Sequence, residues 1–367
     1  MKIAFVLTAH FPDDERVYFH QAKTLEQHHC ETYFISTLVN RQELPSFHCF
    51  DSTGFSKQKL IHTISKRLAS IHPDVIICDT PMAIMGAAQY RRKAKQDARI
   101  LYDITEWYPS KKNLAHLTVI SKTGKFLLLM LLNLWANFKT DGFILGEYYK
   151  SKPFRFFFPK KPYIFCSYYP DLRFIHPIPP HTLTQNCQLF YSGNLSKEKG
   201  FEQVLKAAIW AASFNPKVYF TLNVMTTSKF EDSYRLPENL DISFTPYIPF
   251  EDFCKKATES DLFFDLRQPD FENDRCLPIK LFYFMAFGRP VIYTDLKAIR
   301  KGVPEIEEFG YLVNPYDTEA ILDIINQYLL NKQLYDQHCE RALQLSKEKY
   351  NWDNLAPDFI KFILHNE

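Results

Sequence analysis

Short, almost wholly apolar runs recur along this chain, each followed by a stretch of helical length. Lys2–Ala9, Glu31–Ser36, Val75–Cys78, Ile100–Tyr102 and Gly142–Leu145 read as strands, with helices over Asp14–Gln27 and Lys57–Ile71 between them. A strand apolar on both faces must be covered on both faces, and parallel sheets flanked by helices do that. The alternation therefore predicts parallel β-α-β units in a doubly wound α/β sheet. Local signals agree: Asp13 or Asp14 is placed to cap the first helix, and Pro81 to begin the helix after the third strand.

The rhythm breaks over residues 151–187, which are rich in Pro, Phe and Lys, and then restarts. Gln188–Ser192, Val218–Asn223, Ile242–Phe244, Leu262–Asp265 and Val291–Thr294 read as strands. Gly200–Ser213 and Ile279–Phe287 read as helices, and the tail from Glu319 to His365 is mostly helical. A chain of 367 residues accommodates two such domains. The expected boundaries are 1–165 for an N-terminal Rossmann-like domain and 166–187 for the crossing. Residues 188–348 form a second Rossmann-like domain, and 349–367 a final helix packing back on the first. Two such sheets facing across a cleft bind ligands beyond their strand C-termini. Function is expected in the loops at 9–16, 103–110, 192–200 and 266–280.

Composition narrows the chemistry. Only 10 residues are Gly, and neither G-x-G-x-x-G nor G-x-x-x-x-G-K-[ST] occurs, so an ordinary dinucleotide-binding enzyme or a P-loop NTPase is disfavoured. Lys plus Arg is 44 against 42 Asp plus Glu, which is no global nucleic-acid footprint. The eight cysteines form no C-x-x-C, so neither a zinc site nor a compact disulfide framework is expected; no metal is assigned. Reduced thiols suit a cytoplasmic protein. The apolar N-terminus is too short for a leader and lacks a small-residue cleavage site, so it is read as the first buried strand.

Two segments carry the strongest chemical signal. Tyr191-Ser192-Gly193-Asn194-Leu195-Ser196-Lys197-Glu198-Lys199-Gly200 follows a strand and opens a helix. Backbone N–H groups at such a turn suit an anion, and Lys197 or Lys199 adds charge; the plain alternative is a turn with solvated lysines. In Leu277 to Ile292, Pro278 starts a helix and Gly288 ends it. Lys280 sits in its first turn, where a cation opposes the helix dipole and a phosphate would relieve it. Phe282, Tyr283 and Phe287 fit the core better than a ligand.

Together these segments resemble the retaining GT-B glycosyltransferases of family 4, which carry a G-R-x-x-x-x-K-G turn and a later P-x-K-x-x-E-x-M-A-x-G-x-P-V run. Further pieces follow in order: Tyr102-Asp103-Ile104-Thr105-Glu106 resembles Y-D-x-H-[DE], and Asp14-Glu15-Arg16-Val17 resembles D-x-R-[VI]. Tyr169-Pro170-Asp171-Leu172 resembles N-x-P, Gly310-Tyr311-Leu312-Val313 with Asp317 resembles G-x-L-V-x-x-x-D, and Trp352 matches a late tryptophan. The resemblance implies two Rossmann-like domains facing across a cleft. It implies transfer of a sugar from a nucleotide-sugar donor to a lipid-linked or cell-surface saccharide acceptor, with retention, without metal and without a cofactor.

Carried over by position, Gly193, Asn194, Lys199, Lys280 and Tyr283 would bind the donor. Asp103, Thr105, Glu106 and Arg275 would stand at the reacting sugar, and His10, Asp14 and Arg16 on the acceptor side. Four positions depart from the pattern: Asn194 replaces Arg, Thr105 replaces His, Tyr283 replaces Glu, and Arg275 replaces the Glu eight residues earlier. These departures keep two alternatives open, a catalytically degenerate GT-B protein that binds a partner or glycan, and a nucleotide-sugar epimerase or hydrolase.

Thr118–Lys139 holds an apolar core, Phe126 to Ala136, of 11 residues, while crossing a bilayer takes about 20. It is either a buried helix or one lying on a membrane surface. The second reading draws on Lys111-Lys112 and on the basic-aromatic run Lys150 to Lys161, which suit anionic headgroups. It places the protein in the cytoplasm at the inner face of the cytoplasmic membrane. No nucleic-acid partner is expected.

Overall fold

The computed structural model describes residues 1–38, 46–104, 114, 118–229 and 234–364. The chain forms two units, Met1–Ser167 with the residues from Leu355 onward, and Tyr168–Asn354.

The first unit holds a six-stranded sheet: β1 (Lys2–Leu7), β2 (Glu31–Ser36), β3 (Val75–Cys78), β4 (Arg99–Ile104), β5 (Gly142–Leu145) and β6 (Tyr163–Phe165). The order is β2-β1-β3-β4-β5-β6 and every pairing is parallel. Its helices are α1 (Lys23–Gln27), α2 (Lys57–Ile71), α3 (Pro81–Ala94), α4 (Val119–Phe138) and α5 (Tyr148–Phe157). Strand residues such as Phe5, Ile77 and Ile144 are fully buried because helices cover both faces. The helix expected from Asp14 begins instead as a π-helical stretch, Glu15–Ala22, and becomes α-helical only in α1. Residues 151–187, expected to lack pattern, contain most of α5 and the whole of β6. Pro153 sits inside α5, and β6 pairs with β5 through Ile144 and Ile164, so a three-residue edge strand was too short to show a period.

The second unit repeats the architecture with β7 (Asn186–Ser192), β8 (Tyr219–Met225), β9 (Leu240–Thr245), β10 (Leu262–Asp265), β11 (Val291–Thr294) and β12 (Gly310–Val313). The order is β12-β11-β10-β7-β8-β9, again all parallel. Its helices are α6 (Phe201–Phe214), α7 (Phe250–Thr258), α8 (Ile279–Ala286), α9 (Lys297–Gly302), α10 (Thr318–Leu330) and α11 (Lys332–Glu348). The last helix, α12 (Trp352–Leu364), begins in this unit, and from Leu355 its residues cluster with the first, where Arg99 donates to the Phe362 carbonyl at 2.8 Å. Phe263 of β10 stacks on Phe284 of α8 with centroids 4.0 Å apart, and Phe190 of β7 meets both edge-on. Leu281 to Phe287 are all buried, which is why this helix carries no polar stripe.

Both sheets reverse strand order once, between β1 and β3 in the first unit and between β7 and β10 in the second. The loops leaving those strands splay apart at such a point and open a crevice at the strand C-termini, where doubly wound proteins bind ligands.

Candidate functional site

In the second unit the turn after β7 meets the segment after β10. Gly193 has φ +153° and Gly200 φ +74°, both in the region that favours glycine. At Gly200 a Cβ would lie 1.9 Å from the Leu266 carbonyl oxygen, so the two loops touch backbone to backbone. Gln268 N–H donates to the Glu198 carbonyl at 2.9 Å and ties the same loops together. The Tyr191 hydroxyl donates to the carbonyls of Asn194 at 2.7 Å and Lys199 at 3.3 Å, which curls the turn around the end of its own strand.

Charges gather on this frame. Arg267 forms a buried two-pronged ion pair with Asp265 at the end of β10, and its Nε–Oδ1 contact is 2.7 Å. Burial pushes the Asp265 carboxyl up, but Arg267, with Lys280 and Lys199 behind it, outweighs that and holds it below the usual range. Lys280, from the first turn of α8, donates to the Ser192 carbonyl and stands 3.5 Å from where a Gly193 Cβ would be. Burial, reinforced by Arg267 and Lys199 and opposed by Asp265, pulls the Lys280 ammonium down to about 8. Three cations face two carboxylates beside a glycine turn, Asp265 and the exposed Glu198, whose Oε1 lies 3.7 Å from Lys199 Nζ. Such a group is short of negative charge, and an anion supplies it.

Gly193 and Lys280 are thus brought together, with the half-exposed Lys199 near enough to act on both Asp265 and Lys280. Asn194 is exposed on the turn. Tyr283 is buried edge-on against Phe250 and Phe253 of α7, as its apolar neighbours predict. Arg275 lies over the exposed Phe271, 4.0 Å from its ring, and donates to the Phe271 carbonyl at 3.1 Å. Asp265 and Arg267 were missed by the sequence reading. The signal available was a carboxylate ending an apolar strand with a cation two residues later, in a loop already marked for function.

In the first unit, Asp79 ends up beside β1. It accepts from the backbone N–H groups of Thr8 at 2.9 Å and Ala9 at 2.8 Å, and lies 3.2 Å from His10 Nδ1. Burial alone would lower the His10 pKa, but the Asp79 hydrogen bond and charge win and raise it. Asp103, at the C-terminal end of β4, is buried and grips Arg16 through two 2.5 Å contacts, with Gln21 Nε2 at 3.1 Å. Arg16 and Gln21 both project from the π-helical stretch; such turns are frequent at functional sites. Asp14 caps that stretch, accepting from the Arg16 N–H at 3.2 Å. Thr105, Glu106, Lys111 and Lys112 lie outside the described residues. Asp79 and Gln21 had no sequence signal beyond Asp79 following a strand.

The turn at 192–200, the cation group and the β10 loop all fall within one stretch that can be compared with known families. Residues 186–331 match the family described as glycosyl transferases group 1. No curated protein matches the chain. Among solved structures, sucrose-phosphate synthase from Thermosynechococcus elongatus aligns over 98% of both chains with a TM-score of 0.73 and 13% identity. The Anabaena HepE protein in complex with UDP-glucose aligns over 99% of both with a TM-score of 0.71 and 14% identity. A putative UDP-N-acetylglucosamine 2-epimerase from Listeria monocytogenes covers 100% of this chain and 98% of its own at 0.64 and 11%. The fold is that of the GT-B glycosyltransferases, with two Rossmann-like units, and the group 1 match lies in the second.

Proposed function

We propose that this protein is a glycosyltransferase that moves a sugar from a nucleotide-sugar donor to a lipid-linked or cell-surface saccharide acceptor, with retention and without metal or cofactor. The observation that carries the reading is the cation group of Lys280, Arg267 and Lys199 around the Gly193–Gly200 turn, at the strand-order reversal of the matched domain. The leaving nucleoside diphosphate gains negative charge as the glycosidic bond breaks. Fixed cations stabilise that state more than the ground state, each contact being worth about 2.7–4 kcal/mol. Lys199 and Lys280 bind the diphosphate, and Arg267 holds Asp265 so that its charge does not oppose the anion. Asp103 is a positioning residue that fixes Arg16, whose N–H Asp14 caps in the acceptor-side segment.

Calorimetric titration with UDP, GDP and their sugars tests this. We expect one nucleotide to bind, and affinity to fall at least about tenfold in Lys199→Ala. No binding by any nucleotide, or an unchanged Lys199→Ala variant, sinks the reading. A second reading, a GT-B protein without turnover, is favoured by one observation: Tyr283 is committed to packing on Phe250 and Phe253 where the resembled pattern has a carboxylate. Turnover of any nucleotide sugar eliminates it, and release of free sugar or of an epimerised nucleotide sugar with no acceptor present identifies a hydrolase or an epimerase instead.

A further inference from the structure

The α4 helix packs only a narrow stripe into the first unit. Leu129, Asn133, Ala136 and Asn137 are buried, a spacing that marks one helix face. The opposite face is also apolar and lies open: Leu127, Leu128, Leu131, Trp135 and Phe138 are exposed, Leu131 at 60% and Phe138 at 69%. This apolar surface continues onto the next helix. Phe138 meets Phe158 with ring centroids 5.0 Å apart, and Phe156, 79% exposed, and Phe157 follow from α5. Phe158 also lines a pocket of about 400 Å³ together with Lys152, Arg155, Phe156, Pro159 and Tyr163.

The charge around this surface has one sign. The segments α3, α4 and α5 contain no Asp or Glu at all. Lys122, Lys125, Lys139, Lys152, Arg155 and Lys160 are exposed along it, while Lys150 is paired with Glu147 and Lys161 donates to the Asn137 and Thr140 carbonyls. The facing acids are few: Asp141, near the end of α4, is paired with Arg91 of α3, and Glu147 is buried with Lys150. Exposed cations also lie over aromatic rings, Arg155 over Tyr163 at 5.2 Å and Lys139 over Trp135 at 5.7 Å.

We propose that this face docks on an anionic lipid bilayer, with the α4 face entering the headgroup boundary and the Lys152–Arg155–Tyr163 pocket seating a lipid phosphate. An aliphatic and aromatic face ringed by Lys and Arg has both attractions such a surface needs, apolar area and charge. Among the described residues no helix is long and apolar enough to cross a membrane, so the helix lies along the surface. A second copy of the chain is a poor occupant, since a two-fold interface would set two basic rims against each other. A leucine-rich face offers few rings for stacked bases, which disfavours single-stranded RNA.

The test is flotation of the full chain with phosphatidylcholine vesicles, with and without phosphatidylglycerol. The protein is expected to float only with phosphatidylglycerol and to be released in about 1 M salt, where the Debye length is about 3 Å. Lys152→Glu with Arg155→Glu, and separately Leu131→Ser with Trp135→Ser, should each cut partitioning about tenfold or more. All four side chains are exposed, so melting temperature and nucleotide binding should match the parent, and loss of flotation cannot then be assigned to misfolding or to failure of the transfer reading. Trp135 emission should shift to the blue on phosphatidylglycerol vesicles, a shift lost in Trp135→Phe. Flotation that ignores lipid charge, variants that float like the parent, or no flotation at all overturns the proposal. So does a dimer or an RNA complex that the same variants abolish while vesicles go unbound.

Discussion

Gly200 shows how much a single residue can decide. Its φ of +74° and the 1.9 Å approach of the Leu266 carbonyl leave no room for a methyl group, and the obstacle is backbone that cannot swing aside. Gly200→Ala is therefore expected to cost at least about 3 kcal/mol in denaturant unfolding, combining backbone strain with a forced shift of two loops. Gly193→Ala meets only the Tyr191 hydroxyl at 3.2 Å and the end of Lys280 at 3.5 Å. It should cost about 1 kcal/mol of stability in denaturant unfolding, through the positive φ and the crowded Tyr191 hydroxyl, with the Lys280 ammonium left in ordinary contact. Lys280 supplies a pH signature. Its folded pKa of about 8 lies below the ordinary lysine value near 10.5, so the unfolded chain binds more protons between the two. Its contribution to stability thus rises as pH rises from about 8 towards 10.5, while affinity for a diphosphate falls over the same window as the ammonium discharges. Calorimetric titrations from pH 7 to pH 10 (about one unit apart) should show that fall in the parent. Lys280→Arg, which stays charged, should not show it.

At the scale of elements, the π-helical stretch Glu15–Ala22 is the least ordinary piece of the first unit. It points Arg16 and Gln21 together at Asp103 on β4, a buried carboxylate that would otherwise stand uncompensated. Arg16→Ala should destabilise the protein by about 3–5 kcal/mol, and adding Asp103→Ala should recover part of that loss, because the pair is costly mainly when one member is missing. Chemical denaturation of the two single variants and the double variant checks this. The loop after β1 has its own pH dependence. The raised His10 pKa means that the Asp79–His10 interaction stabilises fully below about 6.5 and is lost as pH rises through the higher folded value. Asp79→Asn should flatten that part of the stability profile. Of these elements, the strands were legible because apolar runs bounded by turns have one economical solution. The π-helical register was not, since Asp14 to Gln27 carries the same apolar spacing either way. The α4 helix was legible only as apolar; that it buries one stripe and exposes the other depended on how much surface the sheet and α3 offer it.

Across the whole molecule, two sheets of the same kind but different strand order place their reversals at β1/β3 and β7/β10. The charged groups described above lie at both. If the cations of the second unit do the work of a divalent ion, sugar transfer should be unchanged by EDTA and should not rise with added Mg2+ or Mn2+. A transfer assay with chelated and metal-supplemented protein reads this out, and dependence on metal removes that part of the proposal.

By itself the sequence determined the two-unit α/β architecture and the likeness that pointed to a donor turn around Gly193, Lys199 and Lys280. Periodicity, caps and turn residues act over a few neighbours and survive in one dimension. Only the tertiary structure decided that Asp265–Arg267 joins Lys280, that Asp79 reaches across to Thr8 and His10, and that the α4 face stays outside. Those outcomes depend on which strands lie side by side and on which surfaces are already covered. Packing settles that between residues about 70 to 90 positions apart, and no local pattern encodes it.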